Sequence, residues 1–347
     1  MKLNLSVRRG ALLAAVLLLA VAARAQTPDA ATTASHLLVL NKADNTLAII
    51  EPESLKILGK VTVGEGPHEV VASRDGRTAY VANYGTQQVV GSTISVVDIA
   101  ARKEVKRIDL GALRRPHGIF EAGGKIYFTA EANRAVARYD PAADKVDWVM
   151  GTGANVSHML VVTPDGKKVY TANMFSDTVT AVAVGGPPTP PNIAHVAVGK
   201  TPEGIGISPD GREVWAANRA EGTISIIDTA TDKLKETIQK FAALPFRVAF
   251  TPDGRHALVP DPEGGELVVF DAATRKVAGR VKIEGAPLGV VATSDSRRAY
   301  VTLGAKNGVA AVDLEKMAVT GTAETGKGPD GVAWAQGPSK PAGGGGD

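Results

Sequence analysis

Seven copies of one four-strand phrase predict an all-β chain folded as a seven-bladed β-propeller of four-stranded blades. Three observations carry the prediction. A typical copy runs from a proline-led apolar strand through a Pro-Asp-Gly-type turn into a strand ending in Asn, then into a strand ending in Asp. The copies recur every 41 to 49 residues and run almost end to end, so they leave no room for a second domain. A single twisted blade of this length cannot bury both faces until neighbours pack against it, which makes a closed ring the stable solution.

The copies align at Pro67, Pro116, Ser157, Pro202, Pro245, Pro287 and Pro329. Apolar inner strands follow, such as Val70 to Ala72, Ile205 to Ile207, Val248 to Phe250 and Val332 to Trp334. Tight turns come next at Asp75-Gly76, Asp165-Gly166, Asp210-Gly211 and Asp253-Gly254, where Gly supplies positive φ and Asp bonds its own backbone. Second strands end at Asn83, Asn173 and Asn218, and third strands alternate as half-buried strands from Thr93 to Asp98, Thr223 to Asp228, Glu266 to Asp271 and Gly308 to Asp313. The closing Asp starts an Asx-type turn into a more polar fourth strand, as in Glu104 to Leu110 or Leu234 to Gln239. One copy departs: Ala183 replaces that Asp, and the Gly- and Pro-rich stretch 185–191 reads as a stiff outer loop.

The ends explain how the ring closes. The N-terminal copy begins with a second-type strand, His36 to Asn41, while the C-terminal one ends on an inner strand, Gly331 to Trp334, without partners. N-terminal strands pairing with the C-terminal inner strand remove two exposed sheet edges at once. The propeller is therefore expected over 36–336, with 337–347 a flexible tail.

Residues 1–25 read as a secretory signal peptide: Lys2, Arg8 and Arg9, the apolar run Ala11 to Ala23, and Ala23-Arg24-Ala25 as a small-x-small cleavage site. Residues 26–35 are a linker. The leader holds four of the 39 Lys and Arg and no acid, so the mature chain carries 35 cationic against 36 acidic residues. That balance offers no nucleic-acid footprint. The apolar run is too short to span a bilayer, so no membrane span is expected once the leader is removed. With no cysteine, the exported chain gains no disulfides. A periplasmic or secreted monomer is expected.

Function must come from where the copies differ. One residue past each alignment point stand His68, His117, His158, Glu203, Phe246, Leu288 and Asp330, so three of six histidines share one repeat phase on consecutive blades. Strand alternation places the second-to-third turns on the same face, adding Asn83, Tyr84, Glu131, Asn173, Met174, Asn218 and Asp261 to one channel mouth. A wet channel lining is the bland account of such polar side chains; a binding site for a small ligand, metal ion or protein segment is the sharper one. Three neutral imidazoles with an open position suit zinc or copper, so His68, His117 and His158 are the candidate metal ligands, with Glu203 and Asp330 flanking. Catalysis stays open: His158, Glu203 and Arg247 on successive blades are the base, acid and oxyanion-stabilising types that lactone opening needs. Ser157, next to His158, reads as a proline replacement rather than a nucleophile.

At these repeats the chain resembles the YVTN-repeat β-propellers, the exported group often called YncE-like, over roughly residues 36 to 335, and more weakly the lactonase-type seven-bladed propellers. The resemblance implies a periplasmic or surface binding module. It does not imply a reaction, because propellers carry enzymes, binders and scaffolds alike. DNA binding, suggested for some relatives, is opposed by the mature charge.

Overall fold

The computed structural model describes residues 34–185, 187 and 192–337. The signal peptide, most of the linker, the tail beyond Gly337 and most of the Pro-rich loop lie outside the described residues. Those described form seven four-stranded antiparallel sheets arranged as a propeller. Among them the one helical element is a single 3₁₀ turn, Glu131–Asn133. Among the described residues no helix is long and apolar enough to cross a membrane.

Numbering blades by their inner strands, blade 1 opens with Pro67–Ala72, blade 2 with Pro116–Ala122, blade 3 with Ser157–Val162 and blade 4 with Pro202–Ile207. Blade 5 opens with Ala249–Phe250, blade 6 with Pro287–Ala292 and blade 7 with Pro329–Ala335. Blade 7 is completed by His36–Asn41, Thr46–Ile50 and Ile57–Thr62, with Leu37 opposite Trp334 and Val39 opposite Val332. The expected closure is the observed one. It hides a sheet edge of each terminus in a ladder.

Turn chemistry follows from residue type. Gly76, Gly166, Gly211 and Gly254 hold φ of 68°, 71°, 72° and 71°. The preceding Asp75, Asp165, Asp210 and Asp253 each accept the backbone N–H two residues on. At the third-strand ends, Asp98, Asp228 and Asp271 accept N–H groups three residues on. Blade 5 is the exception: its inner strand, expected from Val248, pairs only at Ala249 and Phe250. Its partner strand contains Pro260, whose carbonyl accepts Phe246 N–H while its own nitrogen has no proton to return.

Apolar faces meet between blades. Trp215, Phe250 and Phe270 join edge to face between blades 4 and 5, and Trp334 stacks on Tyr300 between blades 6 and 7 with ring centroids 6.0 Å apart. Inner strands approach so closely that four of them carry Gly two residues past the alignment point. A Cβ on Gly118, Gly204, Gly289 or Gly331 would lie 2.7, 2.4, 2.3 or 2.5 Å from a carbonyl oxygen of the next inner strand.

Candidate functional site

One residue past the alignment point, blades 1 to 3 bring His68, His117 and His158 side by side. Their rings form a tilted stack, with centroids 4.3 Å apart for His68 and His117 and 3.8 Å for His117 and His158. Residues that follow the second strands pack onto this stack. Tyr84 meets His68 and His117 edge-on, at 4.9 and 5.3 Å between centroids, and Arg115 lies over the Tyr84 ring at 4.8 Å. Glu131 begins the 3₁₀ turn that Arg134 ends at φ 51°. The turn aims the carboxylate inward: Oε2 accepts Tyr84 O–H at 2.6 Å, and Oε1 lies 2.5 Å from His158 Nδ1.

One layer deeper the channel is crossed by charge. Arg247 of blade 5 donates from Nη2 and Nε to Glu69 Oε1 of blade 1, at 2.7 and 3.2 Å, and from Nη1 to Glu203 Oε1 of blade 4 at 3.4 Å. Asp330 Oδ1 of blade 7 is 3.8 Å from Nη2, and the guanidinium sits 4.4 Å over the Phe246 ring. One cation therefore ties three carboxylates from three blades across the axis. Glu203 Oε2 also accepts Arg219 Nη1 at 2.6 Å, and Asp330 Oδ2 lies 3.0 Å from His68 Nδ1.

Burial decides the protonation states. His117, 2 % exposed, is driven well below the ordinary histidine value by burial and then by His158, His68, Arg247 and Lys42, so its imidazole is neutral. Tyr84 is pushed above the usual tyrosine range by burial and the Glu131 carboxylate. Burial raises Glu69 although Arg247 opposes it. Burial also acts upward on Asp330, but His68, Arg247 and Lys42 outweigh it and hold the carboxyl below its usual range. Lys42, above the ring, is lowered by burial against the pull of Asp330.

The donor atoms of His117, His158 and Glu131 lie within 4.8 Å of one another, the spacing of a metal-ligand group. His117 Nδ1 and His158 Nε2 are buried and make no hydrogen bond within the described residues. This corrects the expected three-histidine set. His68 turns its Nδ1 toward Asp330, 3.0 Å away, and the group of converging donor atoms takes Glu131 in its place.

Asn83, Asn173 and Asn218 need the same correction as ligand contacts. They are 0 to 1 % exposed, and their amides donate to Thr93 and Ser95, to Thr178 and Thr180, and to Thr223 and Ser225 respectively. Asn83 and Asn218 pack beneath Gly64 and Gly199 in the loops leading to the next blades, which makes this phase a structural clasp. Asn218→Ala is expected to cost about 1–3 kcal/mol of stability by unpairing buried hydroxyls, read by urea denaturation, without changing metal response. Ser157 is likewise structural: its hydroxyl bonds Asn173 Oδ1 at 2.9 Å and Thr152 Oγ1 at 2.8 Å.

His158, Glu203 and Arg247 do meet, with Nε2 to Oε1 at 3.9 Å and Nη1 to Oε1 at 3.4 Å. Four of the five Arg247 N–H donors are nonetheless spent on Glu69, Glu203 and the Phe246 carbonyl, and the fifth, on Nη2, has the Asp330 carboxylate 3.8 Å away. Glu69, Lys42 and Arg219 belong to the site and were missed. A signal for Glu69 existed: it and Arg247 occupy the phase that holds Gly in four other copies.

A family model described as YNCE-like beta-propeller matches residues 180–337. No curated protein matches the chain. Among solved structures, a functionally unknown protein from Desulfotomaculum acetoxidans is similar at TM-score 0.73 and 13 % identity, over 87 % of this chain and 99 % of that one. Hydrazine synthase from Kuenenia stuttgartiensis is similar at TM-score 0.66 and 18 % identity, over 77 % and 89 % of the respective chains. At such identities these likenesses show the fold alone.

Proposed function

We propose that this chain, whose residues 180–337 belong to the YncE-like β-propellers, is an exported, monomeric binding protein that holds one zinc or copper ion at its channel mouth. The observation that carries the reading is the convergence of His117, His158 and Glu131 within 4.8 Å. Two imidazoles and a carboxylate are borderline donors suited to these ions, and three protein ligands leave a position for a small ligand or a partner's side chain. Burial favours it: a neutral His117 needs no proton removed before it coordinates. The Tyr84 hydroxyl holds Glu131 in place, as the supporting hydrogen bonds of metal ligands do. Export rests on the leader sequence, and a binding role on the donor atoms that the mouth gathers.

Metal that binds only the folded chain stabilises it by about 2.7 kcal/mol at a hundredfold excess over the dissociation constant. Zinc or copper at pH 7.5 is therefore expected to raise the melting temperature of the wild type and of His68→Ala. The shift should vanish in His117→Ala/His158→Ala and shrink in Glu131→Gln. An equal shift in the double variant would move the ion to another site, and no shift in the wild type would end the metal reading.

A further inference from the structure

Beneath the Arg247 layer the channel continues as a cavity of about 400 Å³, opening on the face of the Asp-Gly turns. Its volume lies within the range of small-molecule sites. The walls are hydrocarbon and aromatic, with Phe120, Met159, Phe250, Val291 and Trp334 among the lining side chains, and its charged lining residues are Glu69 and Arg247. The floor and the mouth are thus two sides of one ionic layer, and the lower side has a chemistry of its own.

The two floor groups differ in what they can still accept. Arg247 spends Nε and Nη2 on Glu69 Oε1, and Nη1 on Glu203 and the Phe246 carbonyl. Glu69 engages only Oε1, whereas Oε2 accepts no hydrogen bond within the described residues, and the side chain is 11 % exposed. An anionic ligand would meet the unshared oxygen of the Glu69 carboxylate. A ligand with an N–H donor and positive charge would pair with Oε2 while its apolar body fills the cavity, gaining a charge-assisted hydrogen bond away from water. Glu203 is already shared between Arg247 and Arg219, and Asp330 lies beside His68, so Glu69 is the carboxylate of the layer with an oxygen left over.

From these contacts we infer that the lower channel is a second binding site, separate from the mouth, for a small organic cation: a primary amine on an aromatic or alkyl body, its ammonium on Glu69. The site does not depend on metal. It is tested on the full chain with a chelator present, so its failure leaves the mouth reading untouched.

Titration calorimetry with 2-phenylethylamine, 2-phenylethanol and phenylacetate separates charge from shape. The amine is expected to bind at least about tenfold more tightly than the alcohol, and phenylacetate not to bind. Glu69→Gln should bring the amine to the alcohol's affinity. Ala249→Trp, at a lining position outside the charged layer, should abolish binding of both without disturbing Arg247. An amine that binds the folded wild type no better than the alcohol or the carboxylate, or that binds the Ala249→Trp protein equally well, overturns the assignment. If Glu69→Gln does not fold, the wild-type ranking and the Ala249→Trp variant still decide it.

Discussion

Replacing Arg247 by alanine is expected to remove about 3–5 kcal/mol of stability at pH 7.5, the loss that follows when one partner of a buried ion group is deleted. Glu69, Glu203 and Asp330 would then sit near the axis without the guanidinium that ties them. The pH dependence has a definite sign. Glu69 titrates above its unfolded value, so its share of stability is full at acid pH and is lost as pH rises through the folded value. Asp330 behaves oppositely: its share is present above the ordinary carboxylate range and is lost only as pH falls through its depressed folded value. Without Arg247 the Glu69 carboxyl rises further, protonates more readily and relieves the unpaired charge. The deficit should therefore be smaller at pH 5 than at pH 7.5.

Urea denaturation of wild type, Arg247→Ala, Arg247→Met, Glu69→Gln and Arg247→Met/Glu69→Gln at both pH values checks this. Methionine refills most of the volume, so a loss that persists in Arg247→Met reports charge rather than a cavity. Partial recovery in the double variant measures the coupling between the two groups directly. A loss below about 1 kcal/mol in both Arg247→Ala and Arg247→Met would mean that the ionic layer contributes little to holding the ring.

The fold was legible because each blade repeats several local rules that agree. An Asp-Gly pair needs positive φ, an alternating strand needs one buried face, and a strand-ending Asp needs a turn to cap, and most copies restate these demands. Pro260 shows where such reading stops. The apolar run around it looked like any second strand, yet its missing N–H cuts the blade 5 inner strand short. The histidine ring was legible as a phase, since residues equivalent in the repeat become neighbours around the axis. Side-chain rotation was not. Whether His68 aims at His117 or at Asp330 depends on a contact between blades 1 and 7, residues at opposite ends of the sequence. The Asn phase misled for a similar reason: parity puts Asn83 on the mouth face, but Ser95 and the Gly64 loop give its amide a better place beneath.

Gly331→Val is expected to be the most damaging single substitution at the seam where the termini close the ring. A side chain there would place its Cβ 2.5 Å from the His68 carbonyl oxygen and 2.9 Å from the Glu69 Cα. Both atoms are backbone of the blade 1 inner strand, so no rotamer change relieves the contact. Either blade 1 shifts outward, taking Glu69 from Arg247, or the inner strand of blade 7 leaves its ladder with His36–Asn41. Overpacking of a core commonly costs about 1–3 kcal/mol, and a backbone obstruction belongs at or beyond the upper end. For a domain of this size that lowers the melting temperature by at least about 5 °C. Gly151→Val is the control: it too lies in a strand, but a Cβ there meets nothing within 4 Å, so its melting temperature should stay within about 2 °C of wild type. Equal melting of the two variants would show that the blade 7 to blade 1 seam is looser than the contacts between Gly331 and blade 1 require.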